Sequence, residues 1–186
     1  LDESQLEKLI TPRTKAIFVV HYAGVACEMD VISEIATRYH LQVVEDNAHG
    51  LFGKFHGKNL GTLSAMATQS FHETKNISTG EGGALLINDP KYIERAEIIR
   101  EKGTNRSRFF RGMVDKYTWV DIGSSYLPSE MISAILVAQL EARERIQTRR
   151  KAIWSTYFQE LSGWAEEFGI QLPHVPEYCE HPGHIF

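Results

Sequence analysis

Two apolar runs separated by one amphipathic segment constrain the fold of this chain more than any other feature. Residues 16–20 (AIFVV) and 41–45 (LQVVE) predict two buried strands, and the segment 30–39 between them has a helical apolar period. A strand, a helix and a second strand in this order form a parallel pair with a right-handed crossover. Ligands of such sheets bind beyond the carboxyl ends of the strands, where Asp46 is placed. The buried face of the helix is predicted to comprise Val31, Ile35 and Ala36.

Further apolar runs continue the alternation of strands and helices. Residues 65–71 and 84–87 predict two more strands, joined by a polar segment and by the turn at 80–83 (GEGG). This pattern predicts an α/β fold with a central, mostly parallel sheet and flanking helices. The other predicted elements are a short helix near 2–10, a surface loop or short hairpin at 50–61, a helix from Asp89 to about Glu101, an ordered functional loop at 103–126 and one long helix at 128–161.

The charge balance and the lengths of the apolar runs exclude several classes of protein. The 186 residues carry 24 Asp and Glu against 20 Lys and Arg, which argues against nucleic acid as the main partner. The apolar runs are far shorter than the roughly 20 residues that cross a bilayer. Cys27 and Cys179 form neither a spaced zinc motif nor a disulfide framework. We therefore expect a cytoplasmic protein that binds a small molecule rather than a membrane.

The glycine cluster at 80–83 admits two interpretations. A nucleotide-binding glycine loop follows a strand and opens a helix, whereas this cluster precedes the predicted strand 84–87. The cluster is therefore predicted to be a tight turn with positive φ angles, which leaves open that it shapes a nearby pocket.

Two oppositely charged side chains are predicted at the carboxyl ends of strands. Asp46 follows Val43-Val44, and Lys75 lies five residues after Ser70. Taken singly, Asp46 can be the cap of a turn and Lys75 a solvated side chain. Taken together, they are the pair that pyridoxal phosphate requires, an amine for the Schiff base and an acid for the pyridine nitrogen.

Three strings, 43–49 (VVEDNAH), 70–76 (SFHETKN) and 80–85 (GEGGAL), together resemble the sugar aminotransferases of the DegT/DnrJ/EryC1/StrS family. The resemblance covers nearly the whole chain. Other strings are similar to the subgroup that makes dTDP-4-amino-4,6-dideoxygalactose for enterobacterial common antigen. They are HYAGVACEMD at 21–30, EIIREKGTNRS at 97–107, FFRG at 109–112, DKYTW at 115–119 and DIGSSYL at 121–127.

The resemblance implies roles for five residues around pyridoxal phosphate. Lys75 would form the Schiff base and then shuttle the proton between the amino donor's α carbon and the cofactor. Asp46 would keep the pyridine nitrogen protonated, and Ser70 would bind the phosphate. Ala48 would pack on the ring, and His49 would lie near the phenolate oxygen, where its tautomer matters.

One position departs from the pattern of many relatives. Where they have an Asn that reaches the cofactor phosphate of the neighbouring subunit, this chain has Ser125, whose hydroxyl donates to phosphate with a shorter reach. Leu127 stands in place of an Arg, which removes a charge. The resemblance still implies a homodimer or higher homo-oligomer with its active site at the subunit interface.

Four residues are candidate substrate contacts. His21 and Tyr22 follow a strand and would border the sugar, with loop packing as the alternative. Lys116 and Tyr117 belong to a segment rich in Arg and aromatic residues that suits a nucleotide diphosphate, with interface packing as the alternative.

A histidine pair near the end of the chain has the spacing of metal ligands on one helical turn. These residues are His181 and His184, but Pro182 and Gly183 between them disfavour a helix. No metal site is therefore predicted.

The resemblance also implies the domain organisation. The fold would be the aspartate aminotransferase-like type I fold of pyridoxal-phosphate-dependent transferases. Residues 1–127 would form a large domain without its N-terminal part, 128–161 a connecting helix, and 162–186 the start of a small C-terminal domain. Relatives carry a segment with a Gly-Thr phosphate-binding turn before Leu1 and further strands after Phe186. We therefore expect a central fragment that is poorly active alone.

The implied reaction moves an amino group from L-glutamate to the C4 ketone of a dTDP-4-dehydro-6-deoxy-hexose, giving dTDP-4-amino-4,6-dideoxygalactose. Alternatives are a dehydratase relative with His at the lysine position, an NAD-dependent oxidoreductase with a G-x-G-x-x-G turn, and a noncatalytic sugar-nucleotide-binding relative. The presence of Lys75 argues against the first and the absence of that turn against the second. Lys75, Asp46 and Ser70 together argue against the third.

Overall fold

The computed structural model describes residues 1–186 and contains two compact units, one of residues 1–88 with 135–186 and one of residues 89–134. No helix combines the length and the apolarity that a membrane-spanning segment needs. The helices are α1 (Leu6–Leu9), α2 (Met29–Arg38), α3 (Ile93–Arg100), α4 (Arg106–Phe110), α5 (Glu130–Glu141) and α6 (Arg143–Phe168), with 3₁₀ turns at Glu3–Gln5, Tyr22–Gly24 and Pro90–Tyr92. The strands are β1 (Ala16–Val20), β2 (Gln42–Asp46), β3 (Lys54–Phe55), β4 (Lys58–Asn59), β5 (Met66–Ser70), β6 (Gly83–Ile87) and β7 (Cys179–Glu180).

The larger sheet has the strand order β1-β2-β5-β6. Strands β1, β2 and β5 are parallel, and β6 is antiparallel to β5. This arrangement confirms the predicted strand, helix, strand unit and the mostly parallel sheet. Gly80 and Gly82 have φ angles of 81° and 154°, which confirms the predicted glycine turn before β6.

The core lies on one face of this sheet. In β1, Ile17 and Val19 are buried while Phe18 between them is 72% exposed, so the strands predicted as buried are covered on one face only. The buried face of α2 includes Ile35 and Ala36 as predicted, but Val31 is 40% exposed. A period of 3.6 residues instead brings Met29 and Ile32 onto that face.

A second, three-stranded sheet has the order β4-β3-β7. The hairpin of β3 and β4 confirms the predicted hairpin at 50–61, and β7 pairs with β3 from the far end of the chain. Cys179 of β7 is buried, and its Sγ accepts a hydrogen bond from the Ala26 amide at 3.2 Å. The carbons of buried Pro182 lie where a Cβ on Gly24 would be, at 2.3 Å, so only glycine allows this approach. These contacts fix the segment after α6 against β3 and the loop that follows β1.

The prediction of one continuous helix at 128–161 is wrong, because the helical segment is interrupted and ends later than predicted. The structure has two helices, α5 and α6, with Ala142 between them at φ −84° and ψ 3°. Helix α6 continues to Phe168 because Gly169, in the left-handed conformation, supplies the C-terminal cap. The loop predicted for 103–126 contains the short helix α4. The assignment of 1–127, 128–161 and 162–186 to three domains stays a prediction.

The unit of residues 89–134 is fixed by charged pairs. Arg111 donates to both carboxylate oxygens of Glu97, at 2.9 and 2.5 Å. The mostly buried Glu101 accepts hydrogen bonds from Lys102 and Arg106, each at 3.1 Å. Large apolar side chains on the surface of this unit are Phe110, Trp119, Ile122 and Met131.

Candidate active site

Asp46 and Ser70 lie on the same face of the large sheet, at the carboxyl ends of adjacent parallel strands. Asp46 ends β2 and pairs in register with Thr68, two residues before the end of β5 at Ser70. Because side chains alternate along a strand, buried Glu45 and Gln69 face the core, whereas Asp46 and Ser70 face the other way. The strand ends therefore present a carboxylate and a hydroxyl together.

Asp46 uses one carboxylate oxygen locally. Its Oδ1 accepts a hydrogen bond from the Ala48 amide at 3.0 Å, so the predicted turn cap is present. Its Oδ2 makes no hydrogen bond within the chain, and the side chain is half-buried. Asp46 can cap this turn and bind a ligand at the same time, because its second carboxylate oxygen can still accept a hydrogen bond.

Lys75 is held at the end of a turn that leaves β5. The amide of His72 donates to Ser70 Oγ at 3.3 Å, and the amide of Lys75 donates to the His72 carbonyl at 2.9 Å. The next residues, Asn76 and Ile77, are buried. The backbone of Lys75 is therefore anchored on both sides. The Lys75 side chain is half-buried, and its amine makes no salt bridge within the chain.

His49 lies within the electrostatic reach of both charged candidates. Burial lowers its pKa, the Lys75 ammonium lowers it further, and the Asp46 carboxylate acts in the opposite direction. Its Nδ1 accepts a hydrogen bond from the Ala23 amide at 3.2 Å, and its ring is edge-on to Tyr22. The structure therefore places the Lys75 and Asp46 charges near enough to His49 to act on its pKa, and the roles of the three residues stay predictions.

His184 also belongs to this cluster, although the sequence suggested it only as a disfavoured metal ligand. Its ring centroid lies 4.5 Å from that of His49, and its Nδ1 is 2.8 Å from Asn76 Oδ1. His181 instead packs its ring on Trp154 at 4.2 Å, so the two histidines have different surroundings. No three His, Cys, Asp or Glu side chains group closely enough to hold a metal ion.

We expect His184 to make the protein less stable in mild acid. Burial, and then the charges of His49, Lys75 and Arg150, lower the pKa of His184 to about 4 from 6.5. Between these pH values the unfolded histidine binds a proton that the folded one does not, so stability falls as pH falls from 7 toward 4. Urea unfolding midpoints at pH 7 and pH 5 measure this loss, which His184→Gln should reduce. The same substitution at exposed His174 is the control, and an equal effect there would contradict the assignment.

Glu45, which sequence reasoning missed, is a fully buried carboxylate on the core side of Asp46. Its Oε2 accepts from His21 Nε2 at 3.0 Å and from the Gly61 amide at 2.7 Å. Its Oε1 accepts from the Leu63 amide at 2.9 Å and from the amide and hydroxyl of Ser64 at 2.8 and 2.9 Å. Burial disfavours the charge, but the hydrogen bonds from His21, Gly61 and Ser64 outweigh it and lower the pKa of Glu45.

His21 is the partner of this carboxylate and is itself fully buried. Its Nδ1 accepts from the Cys27 amide at 3.2 Å, so both ring nitrogens are engaged within the protein. This environment favours the packing alternative for His21 over a direct substrate contact. Neighbouring Tyr22 is 67% exposed beside His49, and its proposed contact with substrate stays a prediction.

The remaining candidates lie in the unit of residues 89–134. Ser125 forms an isolated β-bridge with Glu101. Tyr117 packs edge-on against Phe109, and neighbouring Lys116 is exposed. Their roles in binding cofactor phosphate or substrate stay predictions.

Comparisons with known proteins find aminotransferases that are similar to this chain. The model of the DegT/DnrJ/EryC1/StrS aminotransferase family matches residues 1–185. GDP-perosamine synthase of Caulobacter vibrioides is 37% identical over 175 residues, which are 94% of this chain and 45% of the synthase. The dTDP-3-amino-3,4,6-trideoxy-alpha-D-glucose transaminase of Streptomyces venezuelae is 34% identical over 187 residues, 100% of this chain and 46% of that enzyme.

A similar solved structure is that of Helicobacter pylori PseC, an aminotransferase involved in the biosynthesis of pseudoaminic acid. It superposes with a TM-score of 0.79 at 31% identity and covers 87% of this chain and 42% of PseC. The chain thus spans about half the length of the curated relatives it matches.

Proposed function

The chain belongs to the DegT/DnrJ/EryC1/StrS aminotransferase family, and from this premise we propose that the protein is a pyridoxal-phosphate-dependent aminotransferase of nucleotide-linked keto sugars. The observation that carries the proposal is the placement of Lys75 and Asp46, whose opposite charges both act on the half-buried ring of His49. An amine and a carboxylate beyond one edge of the sheet are what this cofactor needs from a protein.

The residues at this edge fit the chemical groups of pyridoxal phosphate. Lys75 offers an amine, with no salt bridge of its own, to the aldehyde. Asp46 Oδ2 is available for the pyridine nitrogen, since the Ala48 amide occupies only Oδ1. Ser70 Oγ accepts from the His72 amide and keeps its own proton to donate to a phosphate oxygen.

When bound, the cofactor would act as an electron sink during bond breaking at the donor's α carbon. Lys75 Nζ would take the proton from that carbon and later return one to the sugar. Asp46 would hold a proton at the ring nitrogen through its Oδ2. His49, kept neutral by burial and by the Lys75 charge, donates or accepts a hydrogen bond without adding charge.

For the substrate we propose the C4 ketone of a dTDP-4-dehydro-6-deoxy-hexose, with L-glutamate as donor. The product would be dTDP-4-amino-4,6-dideoxygalactose for a surface polysaccharide of the enterobacterial common antigen type. The strings at 115–119 and 121–127 support this choice. Relatives named for GDP- and UDP-linked sugars make another nucleotide sugar the alternative. We further propose a cytoplasmic homodimer in which Ser125 reaches the cofactor phosphate of the partner subunit.

Chemical trapping tests the cofactor assignment. We expect borohydride to fix pyridoxal phosphate covalently on Lys75, so that mass spectrometry finds the added mass on the peptide containing that residue. L-glutamate added before borohydride should release the cofactor from Lys75 and prevent the trapping. Modification of other lysines alone, or none, would overturn the proposal. Product analysis with GDP-, dTDP- and UDP-linked keto sugars then identifies the substrate.

A further inference from the structure

His49 and His184 come from distant parts of the chain, and their rings are in contact at a centroid distance of 4.5 Å. Their ring planes are tilted by 37°. His49 follows β2, whereas His184 lies in the segment after β7 that Pro182 packs against Gly24. The segment after β7 therefore contributes directly to the surroundings of Lys75.

The contacts of Asn76 determine which nitrogen of His184 carries the proton. Asn76 Nδ2 donates to the Pro182 carbonyl at 3.1 Å and to Gln147 Oε1 at 3.2 Å. A carbonyl only accepts, so the amide nitrogen must lie there and Asn76 Oδ1 must face His184 Nδ1, 2.8 Å away. His184 Nδ1 therefore carries the proton, and Nε2 of the neutral ring is an acceptor.

The tautomer of His49 is opposite. The Ala23 amide donates to its Nδ1, which must be unprotonated, so Nε2 carries the proton. Ala23 has φ 55° and ψ 10°, a left-handed conformation that is strained for a residue with a β-carbon. The surrounding structure thus maintains a strained backbone in the position from which its amide reaches His49.

We propose that His184 and Asn76 are positioning residues of this site: Asn76 orients His184, whose ring keeps His49 against the Ala23 amide and so presents His49 as a neutral Nε2–H donor for an anionic oxygen of the bound cofactor. The proposal rests on the proposed function. Asn76 directly follows Lys75, so the same side chain that orients His184 also anchors the peptide carrying the amine. Burial, which lowers the pKa of both histidines, keeps the pair neutral at pH 7.

Imidazole ¹⁵N NMR of the purified full-length protein, with and without pyridoxal phosphate, tests the assignment. At pH 7 we expect a neutral His184 protonated at Nδ1 and a neutral His49 protonated at Nε2. His184→Ala removes the ring that keeps His49 against the Ala23 amide, so it should convert His49 to a mixture of tautomers, whereas His184→Phe, which keeps a ring in contact, should preserve the Nε2–H form. His181→Phe is the control, since His181 contacts Trp154 instead.

Kinetics give the second readout. For His184→Ala we expect kcat to fall by up to about a hundredfold with a smaller change in KM, because the reacting groups are misplaced rather than lost. A wild-type His184 protonated at Nε2, or an unchanged His49 spectrum in His184→Ala, would overturn the proposal. Failure of borohydride to label Lys75 while the tautomers appear as expected would instead overturn the proposed function alone.

Discussion

Replacement of Lys75 with alanine is expected to lower kcat/KM for amino transfer by about 10²- to 10⁴-fold, the size of effect typical for a lost proton-transfer group. The variant has no amine at this position to bind the cofactor or to move the proton. Lys75→Arg should be as inactive, because guanidinium stays protonated and cannot act as a base. Lys54→Ala, which removes a lysine that pairs with Glu180 at 3.3 Å, is the matched control and should change activity less than about twofold.

The same variants test the placement of Lys75 independently of catalysis. Because the Lys75 charge lowers the pKa of both His49 and His184, Lys75→Ala should raise both pKa values, as followed by NMR titration. Lys75→Arg retains the charge and should leave the two pKa values close to those of the wild type. Unchanged values in Lys75→Ala would show that the amine lies elsewhere, and an active Lys75→Arg would contradict its catalytic role.

The sequence was sufficient to predict the sheet and the strand ends that carry Asp46 and Ser70, because both depend on local patterns. The apolar runs at 16–20 and 41–45 determine two strands, and the helix between them makes these strands parallel. Once β2 and β5 are parallel neighbours, Asp46 and Ser70 must share one edge, since both residues end their strands.

The contacts that complete the site are not local, so no pattern in the sequence predicted them. Asn76 and His184 lie 108 positions apart and meet only because β7 pairs with β3. Burial of His21 likewise depends on Glu45, 24 positions away. One signal was present for Glu45: it adjoins Asp46 in a strand, so the two carboxylates must face opposite sides, and one must enter the core.

The buried position of Glu45 leads to the largest expected effect on stability. Glu45→Ala should lower the free energy of unfolding by about 3–5 kcal/mol, because His21 and the amides of Gly61, Leu63 and Ser64 all lose their acceptor. Glu45→Gln should still cost at least about 2 kcal/mol, since its single oxygen cannot accept at both sites and its NH₂ group must face donors.

A conservative change at an exposed carboxylate provides the control for these measurements. Glu34→Gln removes a surface pair with Arg38 at 2.8 Å and should cost less than about 1 kcal/mol. Urea unfolding of the full-length variants measures all three values. A Glu45→Gln protein as stable as Glu34→Gln would contradict the hydrogen-bond network.

A double variant separates this network from a simple ion pair. Replacing both members of a buried pair with apolar residues is often neutral. Here Glu45→Leu with His21→Leu should remain destabilised by about 1–3 kcal/mol or more, because the buried Gly61 amide and the partly buried amides of Leu63 and Ser64 would still lack their acceptor. Recovery to wild-type stability would show that the pair with His21 is the whole interaction.

Since Glu45 binds the loop 61–64 to β2, its loss should also misplace Asp46 and weaken pyridoxal phosphate binding.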